Sequence, residues 1–124
     1  MVRTRTEIKR LVAEYVKALE PTIHVNRVIL YGSYARGRPD EWSDIDLAII
    51  SQDFARKNQL ARQSILGRAL QGNDAMIETL GYSLGEFNHA LRQTFLGEIK
   101  RTGKVVYTQH KHRTLAPRRK NARA

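Results

Sequence analysis

Residues 27–50 read RVILYGSYARGRPDEWSDIDLAII, and the two ends of this stretch decide the fold. Arg27 to Tyr31 is a short apolar run with the character of a buried strand. It passes directly into Gly32-Ser33, which opens a turn or a short helix, and Gly37, Pro39, Asp40 and Glu41 then mark a loop. Ser43 to Ile50 alternates. Ile45, Leu47 and Ile49 share one face of a strand, while Asp44, Asp46 and Ala48 share the other. Only about a dozen residues separate the two strands, and a parallel crossover needs that many or more together with a full helix. The expectation is a mixed sheet with helices on one face, not a doubly wound fold.

Working outward, Thr4 to Leu19 places Ile8, Leu11, Val12, Tyr15, Val16 and Leu19 at helical spacing. Thr4 with Glu7 forms a capping-box pattern, and Pro21 stops the helix. Downstream, Arg56 to Leu70 reads as a helix with Leu60, Ile65, Leu66, Ala69 and Leu70 on its buried side. Gly72-Asn73-Asp74 turns the chain, and Ala75 to Tyr82 reads as a third strand. Ser83 to Arg101 reads as one further helix, opened by a Ser83/Glu86 capping box. Its stripe of Phe87, Ala90, Leu91, Thr94, Phe95 and Ile99 is core or a partner surface. Gly103 caps that helix, and Val105 to Tyr107 is a last short strand. The predicted class is α+β: a small mixed sheet with helices packed mainly on one face. Residues 1–108 form the domain, and residues 109–124 form a tail.

The chain has 124 residues, 22 basic against 12 acidic, and no cysteine. That length suits one domain. The missing thiols exclude a disulfide scaffold, a zinc-thiolate site and a cysteine nucleophile. No apolar run approaches the ~20 residues of a membrane span, and the first residues lack the apolar centre of a signal peptide. A soluble, cytoplasmic protein with no membrane contact is expected. The formal charge of +10 is unevenly spread, because residues 109–124 carry six basic residues and no acid. That tail has too few apolar residues for a core. It reads as a solubilising extension, a non-specific RNA contact or a dock for an acidic partner. It also lacks the aromatic residues on which single-stranded nucleic acids stack.

The chemistry is concentrated in residues 32–46. Asp44 and Asp46 stand two apart on a strand, so their carboxylates leave the same face. Two aligned carboxylates repel each other, and a divalent cation relieves the repulsion. Magnesium prefers oxygen ligands and is commonly held by one or two carboxylates plus substrate phosphates. The turn at Gly32-Ser33 offers backbone N–H groups for phosphate oxygens. A phosphate cradle and metal carboxylates on adjacent strands are the parts that nucleotidyl transfer needs.

These residues match the pattern G-S-x10-D-x-D without a gap, with Tyr34 to Ser43 as the ten. The chain thereby resembles the minimal nucleotidyltransferases of the DNA polymerase β superfamily, over roughly residues 6–107. The resemblance implies a polymerase-β-like palm, with two Mg²⁺ ions held by Asp44 and Asp46. It also implies ATP as substrate and Gly32 and Ser33 on the β- and γ-phosphates. Catalysis would be mostly positioning and charge stabilisation. The family's third carboxylate lies on a following strand. Glu78, charged among apolar neighbours in Met76-Ile77-Glu78-Thr79-Leu80, is the candidate, with Asp74 as fallback. Many members have Asp there, so Glu is a departure.

Of the remaining residues, Arg36 stands about one turn after Ser33 and is favoured over Arg38 as a partner for triphosphate. Trp42 could stack on a base, but a cap on the core edge is the preferred reading. Tyr34 is open between the same roles. His24 and His89 read as structural or exposed, and His110 and His112 in the tail make no metal site by themselves. Minimal nucleotidyltransferases commonly pair with a small helical HEPN-domain ribonuclease, act as its antitoxin and adenylylate one of its tyrosines. The resemblance implies that partner here, in a hetero-complex or alongside a homodimer. Two other readings remain: nucleotidyl transfer to RNA or a small molecule, and a binding module without catalysis.

Overall fold

The computed structural model describes residues 2–72 and 76–109. The fallback carboxylate Asp74, the tail histidines and all of the expected tail except Gln109 lie outside these residues. The first helix, α1 (Arg5–Leu19), buries the six apolar residues expected of it. Its capping box is complete: Glu7 N–H donates to Thr4 Oγ1 at 3.1 Å, and Thr4 N–H donates to Glu7 Oε1 at 2.7 Å.

Four strands follow, β1 (Arg27–Tyr31), β2 (Ile45–Ile50), β3 (Ile77–Tyr82) and β4 (Lys104–Thr108). They form one sheet in the order β3-β2-β1-β4. β1 is antiparallel to both β2 and β4, as the short β1–β2 connection requires. β2 and β3 are parallel and are joined through a 3₁₀ turn at Gln52–Arg56 and helix α2 (Gln59–Ala69). The sheet is mixed, as predicted.

The period-two alternation of the strands separates two faces. Val28 and Leu30 of β1, with Ile45, Leu47 and Ile49 of β2, pack under α1 and Leu66 of α2. Ile29, Ala48 and Ile50 turn the other way. They are covered by Phe87 of α3 (Leu84–Asn88) and by Leu96 and Ile99 of α4 (Phe95–Thr102). The two long helices therefore share one face, and a short helical pair closes part of the second.

Two sequence expectations are corrected. Ser83–Arg101 is not one helix: it breaks between Asn88 and Phe95. Thr94 starts a new helix there, its Oγ1 accepting Gly97 N–H at 3.0 Å and donating to Leu91 O at 2.7 Å. Gly97 lets the connecting backbone lie against α4, since a Cβ there would meet Arg92 O at 2.9 Å. Of the expected stripe, Phe87 and Ile99 are buried, whereas Leu91 and Phe95 are exposed. Leu60 is also exposed, at 80%, because Asn58 caps α2 and the helix then turns Arg62 and Leu66 inward.

Arg62 is the polar anchor of that region. Its side chain is 5% exposed. Nη2 donates to Phe54 O at 2.7 Å, Nε to Lys57 O at 2.9 Å, and Nη1 to Gly81 O at 3.2 Å and Glu86 Oε1 at 2.8 Å. One guanidinium thus ties the 3₁₀ turn, α2, β3 and α3 together. Burial pushes the Glu86 carboxyl up, but hydrogen bonds from Arg62 and from Ser83 N–H outweigh it and hold the group below its usual range. Arg62→Ala is expected to cost about 3 kcal/mol or more in urea unfolding, because two buried carbonyls and one part-buried carbonyl lose their donor. Glu86→Gln should cost no more than about 1 kcal/mol, since Glu86 is half exposed. Equal losses would mean that the ion pair, and not the carbonyl network, holds these elements.

Candidate active site

β1 ends at Tyr31, and Gly32 reverses the chain with φ +77°, a left-handed conformation that suits glycine. The following residues wind into a tight turn. Gly32 O accepts both Ala35 N–H and Arg36 N–H at 3.1 Å, and Ser33 O accepts Arg38 N–H at 3.0 Å. Among the described residues, the N–H groups of Ser33 and Tyr34 have no acceptor. Tyr34 settles its open role as an anchor: its ring is buried and its hydroxyl accepts Arg3 N–H at 3.0 Å.

Asp44 precedes β2 at the end of a turn built on Asp40. Asp40 Oδ1 accepts Trp42 N–H at 2.8 Å, and Asp40 N–H donates to Ser43 Oγ at 2.9 Å. Asp46 lies within β2, opposite Tyr31 on one side and Glu78 on the other. A Cβ on Gly32 would sit 3.2 Å from Asp46 Cγ and overlap Oδ2, so this carboxylate occupies space that only a glycine leaves free. Glu78 reaches the same cluster from β3, directly across the ladder from Asp46.

The cluster is electrostatically loaded. The Glu78 carboxyl is held above its usual range, first by its hydrogen bond to Asp44, then by the Asp44 charge, burial and Asp46. Asp46 is also raised, first by burial and then by Asp44, while the Arg36 guanidinium pulls it back. Arg36 therefore stands close enough for its charge to act on the site. Tyr31 is a neighbour that sequence reasoning missed. Burial and the Asp46, Tyr82 and Glu78 charges push its hydroxyl well above its usual value. Its ring meets Phe95 edge-on, with centroids 5.7 Å apart. Strand parity held the signal, since Tyr31 and Ile29 share the face opposite Val28 and Leu30.

The structure thus brings Gly32, Ser33, Asp44, Asp46 and Glu78 together, with Arg36 beside them. Trp42 does not cap the core: it is 76% exposed, on a turn whose backbone is satisfied by Asp40. His24, whose ring bonds the Gln109 side chain, and His89, against Gly85 O, are outside the site. Among the described residues, no three acidic, histidine or cysteine side chains form a preassembled metal cage. The carboxylates form an open, all-oxygen set whose mutual repulsion Arg36 offsets in part. That set fits magnesium, which keeps waters and takes up substrate phosphates as further ligands.

Residues 9–106 match the nucleotidyltransferase domain family. The chain belongs to that family. It is 31% identical over 102 residues to a Methanocaldococcus jannaschii protein provisionally named a protein adenylyltransferase, covering 80% of this chain and 97% of that one. A second M. jannaschii protein of the same provisional name is 38% identical over 48 residues, and there the match spans only 56% of the relative's length. The fold matches a Sulfolobus solfataricus nucleotidyltransferase crystal structure with TM-score 0.65 at 19% identity, over 86% of this chain and 85% of that one. It also matches a toxin–antitoxin structure containing AMP-PNP, with TM-score 0.56 at 20% identity, over 81% and 75% of the two chains. The polymerase-β-like nucleotidyltransferase fold that the resemblance implied is therefore present. No described helix is long and apolar enough to cross a membrane.

Two outcomes follow for this nucleotidyltransferase. Gly32→Ala should lose about 2 kcal/mol or more of stability in denaturant unfolding, from the positive φ and the overlap with Asp46. Asp44→Asn should raise the melting temperature at neutral pH by a few degrees, because it removes like charge from Asp46 and Glu78. Both of those carboxyls bind protons more tightly folded than unfolded, so their repulsion is absent below the unfolded value and sets in as pH rises through the folded one. The gain from Asp44→Asn should therefore vanish near about pH 4 and be complete at neutral pH, as melts across that range would read.

Proposed function

We propose that this chain transfers AMP from ATP to a protein hydroxyl, a tyrosine on a partner HEPN ribonuclease, and thereby acts as its antitoxin. The observation that carries the reading is the ladder register that sets Asp46 beside Glu78, with Asp44 adjacent and the Gly32 turn in contact. The provisional protein-adenylyltransferase names of the relatives and the toxin–antitoxin neighbour with AMP-PNP support the acceptor and nucleotide classes.

Each residue has a role in that reaction. The Ser33 and Tyr34 N–H groups hold oxygens of the β- and γ-phosphates, and Arg36 adds positive charge beside them. Asp44, Asp46 and Glu78 would hold magnesium, which supplies charge neutralisation and Lewis acidity when bound. Glu78, with its raised proton affinity and its exposed position, accepts the proton of the acceptor hydroxyl. The hydroxyl oxygen then bonds to the α-phosphorus, and pyrophosphate leaves with the bond it breaks. Tyr31 and Phe95 form an aromatic border to this ground, against which the acceptor ring or the base lies.

The test is label transfer from α-labelled ATP with Mg²⁺, in extract containing the partner. Label should be nuclease-resistant and protease-sensitive, and should fall about a thousandfold or more in Asp46→Asn. Label removed by nuclease would make RNA the acceptor, and no label above the variant would leave a binding module. Added Mg²⁺ with a non-hydrolysable ATP analogue should raise the melting temperature of the native chain and leave that of Asp44→Asn/Asp46→Asn unchanged.

A further inference from the structure

Behind the phosphate turn, on the α1 side of the sheet, lies a cleft that this reaction does not use. It has a volume of about 570 Å³ and lies between the first turns of α1, the start of β4 and the back of the turn at Tyr34, Gly37 and Pro39. Arg3, Arg5, Lys9 and Lys104 line it, and no carboxylate does. Among the described residues none of the four is ion-paired. Glu7, the nearest acid along this stretch, caps the helix and offsets part of the Arg3 charge. The N-terminus of α1 adds its own partial positive charge. Four cations beside this single acid leave the cleft with a net positive charge that attracts an anionic occupant.

The cleft is also apolar and lies beside a free sheet edge. Leu30 and Val106 line it, and Val105 stands at its lip, 56% exposed. Among the described residues β4 is the outermost strand beyond β1, so one of its edges has no strand neighbour there. An extended peptide can add to such an edge through main-chain hydrogen bonds and send alternate side chains into adjoining pockets.

We propose that this cleft and the outer edge of β4 dock an extended acidic segment of a partner protein. Acidic side chains on the cleft side meet the four cations, and the alternate apolar ones, on the opposite face of the added strand, lie beside Val105, which pairs with Ile29 on that face. RNA fits less well. The cleft's one aromatic residue, Tyr34, is buried with its hydroxyl engaged, which leaves no stacking platform. The docked segment touches the back of the turn whose front N–H groups face the phosphates. The inference stands on the cleft alone and does not depend on the transfer reaction.

The probe is a fluorescein-labelled octapeptide of alternating Glu and Val, titrated with the full chain and followed by fluorescence anisotropy at about 50 mM salt. Micromolar binding is expected, weakened about tenfold or more in Arg5→Glu/Lys104→Glu. Lys17→Glu/Arg101→Glu changes the net charge equally, away from the cleft, and should bind within about twofold of the native chain. Amide exchange on adding the peptide should slow in β4. Circular dichroism verifies that each variant is folded, and the milder Arg5→Gln/Lys104→Gln should lose affinity in the same direction. The proposal is overturned by equal losses in the two charge-reversed variants or by no binding up to about 1 mM. Tighter binding of an oligouridine that the Arg5/Lys104 change also abolishes would overturn it in favour of RNA.

Discussion

The site depends on one contact, the Asp46 carboxylate lodged against the bare Cα of Gly32. The turn cannot move away without changing the end of β1, and β1 is locked to β2 through the Tyr31–Asp46 register. The turn and the carboxylate are therefore one rigid unit. The core below keeps it so: Val28, Leu47 and Ile49 are almost fully buried beneath α1 and α2. That packing has to hold because the cluster opposes it, since the Asp44 charge acts on both Asp46 and Glu78 while, among the described residues, Arg36 offsets it at Asp46. A catalytic surface of this kind is stable through what lies under it.

Much of this was legible in the sequence because the decisive geometry is local. Gly32, Ser33, Asp44 and Asp46 lie on two strands joined by a short connection, so spacing and strand alternation place them together. Glu78 is different. Its partnership with Asp46 is a register between parallel strands, set by how α2 packs and not by any spacing. The resemblance called for a carboxylate on a following strand, and the oddness of a charge among apolar residues marked which one.

The misses share a physical origin in helix phase. Ser83–Arg101 keeps apolar residues near helical spacing across a break, so periodicity alone runs the two helices together. The local signals were Thr94 three residues before Gly97, a cap and a close backbone approach. Leu60 was misplaced for a similar reason. A start at Asn58 sets the phase of α2, and in that phase Arg62 has a guanidinium that satisfies three carbonyls while Leu60 has nothing to pack against. Trp42 shows the reverse case, an aromatic residue left exposed because Asp40 already fixes its turn.

The charge pattern joins the two faces. Carboxylates gather in front of the Gly32 turn and unpaired cations behind it, with Tyr34 bonded to the Arg3 backbone between them. In the proposed reaction a triphosphate approaching the front would meet repulsion from Asp44, Asp46 and Glu78, so Arg36, the turn's N–H groups and magnesium would have to supply the attraction there. The cations behind cannot serve that purpose, since the sheet and the turn stand in the way. Their field acts on whatever meets the rear of the turn and the outer edge of β4. The two charged regions therefore select different ligands while sharing one structural wall, and anything that stiffens the wall from behind also fixes the N–H groups in front.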